Sequence, residues 1–219
     1  MNMRELELFL RDRLTAPLPG ADAQWRFAPR PSRKGWSPDQ RPAEARRASS
    51  LMLLYPGSDG PAMALTLRRD DLPQHPGQVS LPGGAIDAGE DVETAALRET
   101  HEEIGVPAES IRVIGPLSSL WVIVSNFLVQ PFVGIVDERP DFALAEHEVA
   151  ALVEAPVPDI YDAQRVEWHQ IVVDGIVIRY PALVLDGHAV WGATAMMLAE
   201  FACLFDPDFG RAHDPPNRT

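Results

Sequence analysis

PGGAIDAGEDVETAALRETHEEIGV, residues 82–106, is the stretch on which the rest of the chain depends. It joins a glycine turn and a short loop to a helix that starts near Asp91 and stops at Gly105. Asp91 has the side chain of an N-cap, and Glu90, Asp91 and Glu93 put negative charge at the positive end of the helix dipole. Gly105 and Pro107 end it. Glu99, Glu102 and Glu103 fall within a sector of about 100° on one face. Like charges three and four apart weaken a bare helix by a few tenths of a kcal/mol per pair, so their clustering asks for a compensating charge. A hard divalent cation, magnesium or manganese, suits carboxylate oxygens best. The adjacent glycines, Gly83 and Gly84, let backbone approach a ligand closely.

Composition narrows the function classes. A chain of 219 residues is long enough for one sizeable core, and 46% hydrophobic residues is ordinary for a globular protein. The formal net charge of −13 repels a nucleic-acid backbone, so nucleic acid is not an expected partner. No apolar run approaches the roughly 20 residues of a membrane helix, so no membrane association is expected. Cys203, the single cysteine, excludes an internal disulfide and a cysteine-rich zinc site. The N-terminus carries Met3, Leu6, Leu10 and Leu14 at helical spacing, with acids that a transit peptide avoids. A cytoplasmic location is the expectation.

Outward from the central stretch, residues 1–15 read as an N-terminal helix. Residues 16–46 hold Pro17, Pro19, Pro29, Pro31, Pro38 and Pro42 and predict an extended surface segment. Residues 50–55 and 62–67 predict a β-hairpin across Asp59-Gly60. Residues 68–78 read as a loop. After the acidic helix, short strands are predicted at 111–114, 120–124, 127–136 and 149–153, with Pro131 demanding an edge or a bulge. Asp174-Gly175 between 167–173 and 176–180 is a hairpin signal. A last helix spans 193–205, and 206–219 read as a flexible tail. Strands outnumber helices without alternating with them, which predicts an α+β fold with a mixed central sheet. Trp121 and Trp191 are read as core residues, with stacking on an adenine as the alternative role, and His75 as a loop cap.

A cation held by these glutamates can bridge to phosphate and acidify bound water, and a further glutamate can deprotonate that water. The reaction class needing these parts is hydrolysis of a phosphoanhydride. An exposed acidic helix face is the plainer reading of three glutamates alone. The wider spacing shifts the balance away from it. Gly84, Glu90, Arg98, Glu99, Glu102, Glu103 and Gly105 occupy every fixed position of Gly-x5-Glu-x7-Arg-Glu-U-x-Glu-Glu-x-Gly-U, where U is bulky and apolar. The stretch resembles the Nudix box. Thr100 departs at the first U, and Val106 satisfies the last.

The resemblance implies a Nudix-like α/β/α sandwich over residues 47–205, with the catalytic helix following the Gly-Gly turn. It implies Glu99 and Glu103 as primary metal ligands, Glu102 as an assisting one, and the carbonyl of Gly83 as another. It implies Glu102, Glu103 and a later glutamate as the catalytic set; Glu148 is the candidate, with Glu146 second. Glu90, Arg98 and Gly105 are implied to be structural.

Residues 65–84, LTLRRDDLPQHPGQVSLPGG, resemble the coenzyme A diphosphatase branch, LLTxR(S/A)xxxRxxxGxxxFPGG, at Thr66, Arg68, Gly77 and Pro82-Gly83-Gly84. Arg69, Pro73 and Leu81 depart from it. Arg68, Arg69 and Gly84 are the implied substrate-binding residues. The branch implies metal-dependent cleavage of coenzyme A or acyl-CoA to 3′,5′-ADP and (acyl-)phosphopantetheine. The departures keep open another nucleoside diphosphate derivative: ADP-ribose, a dinucleotide or a nucleoside triphosphate. A reading of another class is a Nudix fold acting as a ligand sensor without turnover, which would not need the full glutamate set. The expected partner is a small molecule, and the sequence is compatible with a homodimer.

Overall fold

Strand β1 (Arg46–Gly57) sets the layering. In a strand, alternate side chains face opposite ways. Leu51, Leu53 and Tyr55 enter one hydrophobic cluster, while Met52 and Leu54 enter another. All five are fully buried, so the sheet is covered on both sides. The computed structural model describes residues 1–73 and 75–211.

The helices are α1 (Met3–Thr15), α2 (Gly20–Arg26), α3 (Val92–Ile104), α4 (Val157–Ile160) and α5 (Gly192–Cys203). The further strands are β2 (Gly60–Arg68), β3 (Val79–Ser80), β4 (Gly83–Ala85), β5 (Arg112–Pro116), β6 (Leu120–Val122), β7 (Phe127–Ile135), β8 (Val149–Pro156), β9 (Val166–Val173), β10 (Ile176–Leu185) and β11 (His188–Val190). An eight-stranded sheet runs β3-β2-β1-β7-β5, with β4 on β1, β6 on β7 and β8 on β2. It is mixed, because β1 and β7 are parallel while the other pairs are antiparallel. The fold is the expected α+β sandwich. Ala96 and Ile104 of α3 pack against Leu51 and Leu53 on one face. Leu6 and Leu10 of α1, Ala23 of α2 with Phe27 just after it, and α5 pack against Met52 and Leu54 on the other. A separate three-stranded sheet, β11-β10-β9, closes the C-terminal half.

Several expectations are corrected. Residues 16–46 are not simply extended, because α2 forms within them, and Ala23, Gln24, Phe27 and Ala28 are buried. Ala23 and Phe27 lie four apart and present one apolar face, which the prolines on either side do not interrupt. Arg30 also pairs with Arg179 of β10 through both backbone N–H groups. The boundary expected at residue 47 is therefore not a boundary of packing.

Pro131 lies in an interior strand, not at an edge. It sits where the partner of β7 changes from β6, at Leu120↔Val129, to β5, at Pro116↔Phe132. Its missing donor falls in that break. The start of the tail is packed: Phe209 is buried and its ring lies 5.7 Å from that of Phe27. Residues 212–219 lie outside the described residues. The signal at Asp174-Gly175 marks the β9–β10 turn, where both residues have positive φ, 51° and 77°. Asp186-Gly187 makes a second such turn, which the sequence reading passed over. No helix among the described residues is long and apolar enough to cross a membrane.

Candidate active site

The glycine loop is built against β1. Ser50 pairs with Gly83, Ser49 with Gly84 and Ala48 with Ala85. A Cβ on Gly83 would stand 2.4 Å from the Ser49 carbonyl oxygen. A Cβ on Gly84 would stand 2.5 Å from the Glu99 carboxylate. The first glycine is needed because backbone meets backbone, the second because a carboxylate of α3 rests on it.

Helix α3 is capped at both ends by its own residues. The Asp91 side chain accepts from the backbone N–H of Glu93 and Thr94, both at 3.0 Å. Gly105 adopts φ 75° and donates to the His101 carbonyl at 2.9 Å. A Cβ there would meet Ala143 at 2.7 Å. Thr100, the departure from the box, is fully buried and donates its hydroxyl to the Ala96 carbonyl at 2.7 Å. It therefore fills an apolar position with its polar atom satisfied within the helix. His101 is exposed.

Arg98 connects loop and helix. It donates from Nε and Nη2 to the two carboxylate oxygens of Glu90, at 2.9 and 3.0 Å, and from Nη2 to the Ala85 carbonyl at 3.1 Å. Its Nη1 donates to Glu99 and Glu102, each at 2.9 Å. The guanidinium holds the carboxyl of Glu90 below the usual range. Glu102 is exposed, whereas Glu103 is buried.

Glu103 is the unusual group. One oxygen, Oε1, accepts from the Gly83 N–H at 3.4 Å, and Oε2 is buried without a hydrogen-bond partner. Burial, then the charge of Glu148, pushes its pKa up to about 8. Burial also raises Glu99, against the pull of Arg98. These shifts place Glu99, Glu103 and Glu148 within one another's field.

Glu148 accepts from Arg68 Nη1 at 2.7 Å, so the structure joins these two candidates. Arg69 is elsewhere engaged. It forks onto Asp71 with two bonds of 2.8 Å and donates to the Glu146 carbonyl at 2.9 Å. Arg69, expected to bind substrate, is paired with Asp71 in this arrangement. His75 lies at 3.0 Å from Gln78 within its own loop. Trp121 and Trp191 are half-buried and so are not core residues. Trp191 lies against the ring of Tyr180 at 4.6 Å. Arg47 stands beside the loop: its carbonyl accepts from Ile86 N–H at 3.1 Å. Only strand register shows that neighbourhood.

Among the described residues, no three carboxylates, histidines or cysteines converge as a ready-made metal cage. Glu99 and Glu102 turn to Arg98, while Glu103 turns to Gly83. The donor set nevertheless fits a hard divalent cation. Every candidate donor is an oxygen, and the buried Oε2 of Glu103 lacks the partner that a buried carboxylate requires.

Comparison with known proteins agrees with this geometry. The NUDIX domain family model matches residues 45–173. The chain is 34% identical over 158 residues to the "Uncharacterized Nudix hydrolase NudL" of Enterobacter sp. (strain 638), covering 72% of this chain and 82% of that one. It is 37% identical over 144 residues to the protein of the same description from Yersinia enterocolitica, covering 65% and 73%. Among solved structures, the Nudix hydrolase RenU of M. smegmatis superposes with a TM-score of 0.49 at 20% identity, covering 80% of this chain and 91% of that one. The MutT protein of Methanosarcina mazei Go1 gives 0.47 at 16% identity, covering 74% and 96%. Neither structural likeness bears on substrate. The chain belongs to the Nudix family. It is a hydrolase of the class that acts on nucleoside diphosphate derivatives.

Proposed function

We propose that this enzyme hydrolyses the diphosphate of coenzyme A or its thioesters, releasing 3′,5′-ADP and the (acyl-)phosphopantetheine part. The observation that carries this reading is the Arg68–Glu148 pair beside the buried Glu103. It unites the upstream segment typical of the coenzyme A branch with the box itself. In this account Glu99, Glu103, Glu102 and the Gly83 carbonyl hold magnesium or manganese. Once bound, the ion would offset phosphate charge and acidify water. Glu148, positioned by Arg68, takes the proton from the attacking water. Gly84 keeps the loop thin enough for substrate to approach Glu99. Arg98 and Glu90 fix the loop against α3, and Gly105 ends the helix. The cytoplasm is the compartment we assign to the reaction.

A second reading keeps the chemistry and changes the leaving group. Its ground is the engagement of Arg69 by Asp71, together with Pro73 where the branch carries arginine. One missing charge-assisted phosphate contact amounts to about 1.5–3 kcal/mol. The test is a panel of coenzyme A, ADP-ribose, NADH, diadenosine polyphosphates and nucleoside triphosphates, with magnesium or manganese, followed by product mass. Coenzyme A is expected to be the best substrate. Efficient ADP-ribose cleavage with inert coenzyme A would overturn that choice. Metal binding without turnover of any member would favour a sensor. Glu103→Gln is expected to lower turnover by at least about 100-fold with the fold intact; near-normal activity would refute its assignment to the metal.

A further inference from the structure

Strand register carries the catalytic face of the sheet beyond the glycine loop. Ser49 faces α3, because it lies two residues before Leu51 on the same side of β1. Gly84 pairs with Ser49 and lies under Glu99. One step back along β1 on this face stands Arg47. It pairs with Leu128 of β7, which pairs with Trp121 of β6. Arg47, Leu128 and Trp121 thus form one cross-strand row beside the loop. Their sequence neighbours Leu120, Val122 and Val129 pack into the core on the opposite face. Strand spacing puts Trp121 roughly 14 Å across the sheet from β4.

The row has the chemistry of a ligand surface. Arg47 is exposed, and its guanidinium has no carboxylate or hydrogen-bond partner among the described residues. Trp121 is held by its indole N–H, which donates to Asn126 Oδ1 at 3.1 Å. Its backbone carbonyl accepts from the Trp36 indole at 3.1 Å. The proline-rich segment then folds over this end of the sheet. Together they line an open surface groove of about 440 Å³, along which lie Trp121, Ile123, Lys34, Arg41 and Pro42. A rigid aromatic wall with cations around it suits a planar base bearing phosphate.

We propose that this row and groove receive the nucleotide end of the substrate. The base lies on Trp121, Arg47 binds the phosphate nearest the nucleoside, and Lys34 binds a further phosphate on the ribose. The occupant is therefore an adenine nucleotide with a phosphomonoester on its sugar. The inference rests on the coenzyme A reading for the identity of the substrate, and its test separates the two.

The probe is adenosine 3′,5′-bisphosphate, titrated calorimetrically into the full chain without metal. Wild type is expected to bind it, with Trp121→Ala and Arg47→Ala each weakening binding at least about tenfold. Trp121→Phe should keep most of the affinity, as a stacking surface would. Lys34→Ala should weaken adenosine 3′,5′-bisphosphate and leave 5′-AMP unchanged. In turnover, Arg47→Ala should raise KM about tenfold with kcat within twofold, the pattern of lost binding common to ground and transition states. Arg47 is exposed and unpartnered, so this variant is expected to melt as wild type does. Unchanged binding in both alanine variants, or no binding by wild type at millimolar probe, would overturn the subsite. Failure of coenzyme A turnover with the binding pattern intact would overturn the substrate and keep the subsite.

Discussion

Glu103 is protonated in the metal-free fold up to about pH 8, whereas its ordinary value is 4.5. Between those values the folded chain holds more protons than the unfolded chain, so this group's contribution to stability falls as pH rises. Glu99 and Glu200 are raised in the same direction. With a chelator present, the melting temperature is expected to drop from pH 5 to pH 8.5, and Glu103→Gln should flatten the drop. Magnesium or manganese should restore stability most at the alkaline end, where the carboxylate is already free to bind it. A chelated wild-type melting temperature that rises across this window would contradict the account. Gly84→Ala addresses the loop. Its added Cβ falls 2.5 Å from the Glu99 carboxylate, so Glu99 must move. Turnover is expected to fall about 100-fold with circular dichroism unchanged, since displacements of this size have that effect. The spacing of Gly84, Glu90, Arg98, Glu99, Glu102 and Glu103 made these residues legible in the sequence. The engagement of Arg69 by Asp71 was not legible, because an exposed ion pair leaves no pattern in spacing.

Helix α5 is buried on every side from Thr194 to Cys203, and that burial includes a carboxylate, Glu200. The carboxylate accepts from the N–H groups of Gly20 and Ser118, at 3.2 and 3.1 Å, and from Gln24 Nε2 at 2.9 Å. Burial raises its pKa. Three donors from α2 and from the loop before β6 thus meet on one side chain. Glu200→Ala leaves them buried without an acceptor, which costs about 2–4 kcal/mol. A fall in melting temperature of roughly 5–15 °C is expected, with Trp25 fluorescence at α2 changing alongside. A variant as stable as wild type would show that α2 is not tied down through Glu200. This network explains why α2 escaped the sequence reading. The prolines around it and its polar residues describe a surface segment, while its burial is decided by a partner some 180 residues away. The acidic helix α3 was legible because its caps, Asp91 and Gly105, are local. Pro131 called for an edge or a bulge; a break between β5 and β6, beside a shift of register in β5, accommodates it inside the sheet.

The whole molecule divides its labour between two kinds of information. The cut at a diphosphate is encoded in one contiguous stretch, residues 82–106, and reads directly from the sequence. The surface proposed to meet the rest of the substrate is gathered from β1, β6, β7 and the proline-rich segment, and appears only when register aligns them. The sequence therefore exposed the class of chemistry and an α+β sandwich, but not the sharing of one core by α1, α2 and α5. The central claim is that coenzyme A is cleaved at its diphosphate in a metal-dependent way. Its most direct test is mass spectrometry of the products of coenzyme A incubated with the full chain in ¹⁸O-labelled water, with magnesium or manganese and again with excess chelator. The account predicts 3′,5′-ADP and phosphopantetheine, one of them carrying a single ¹⁸O, only when metal is present. Intact coenzyme A beside rapid cleavage of another diphosphate, or equal cleavage under chelator, would contradict it.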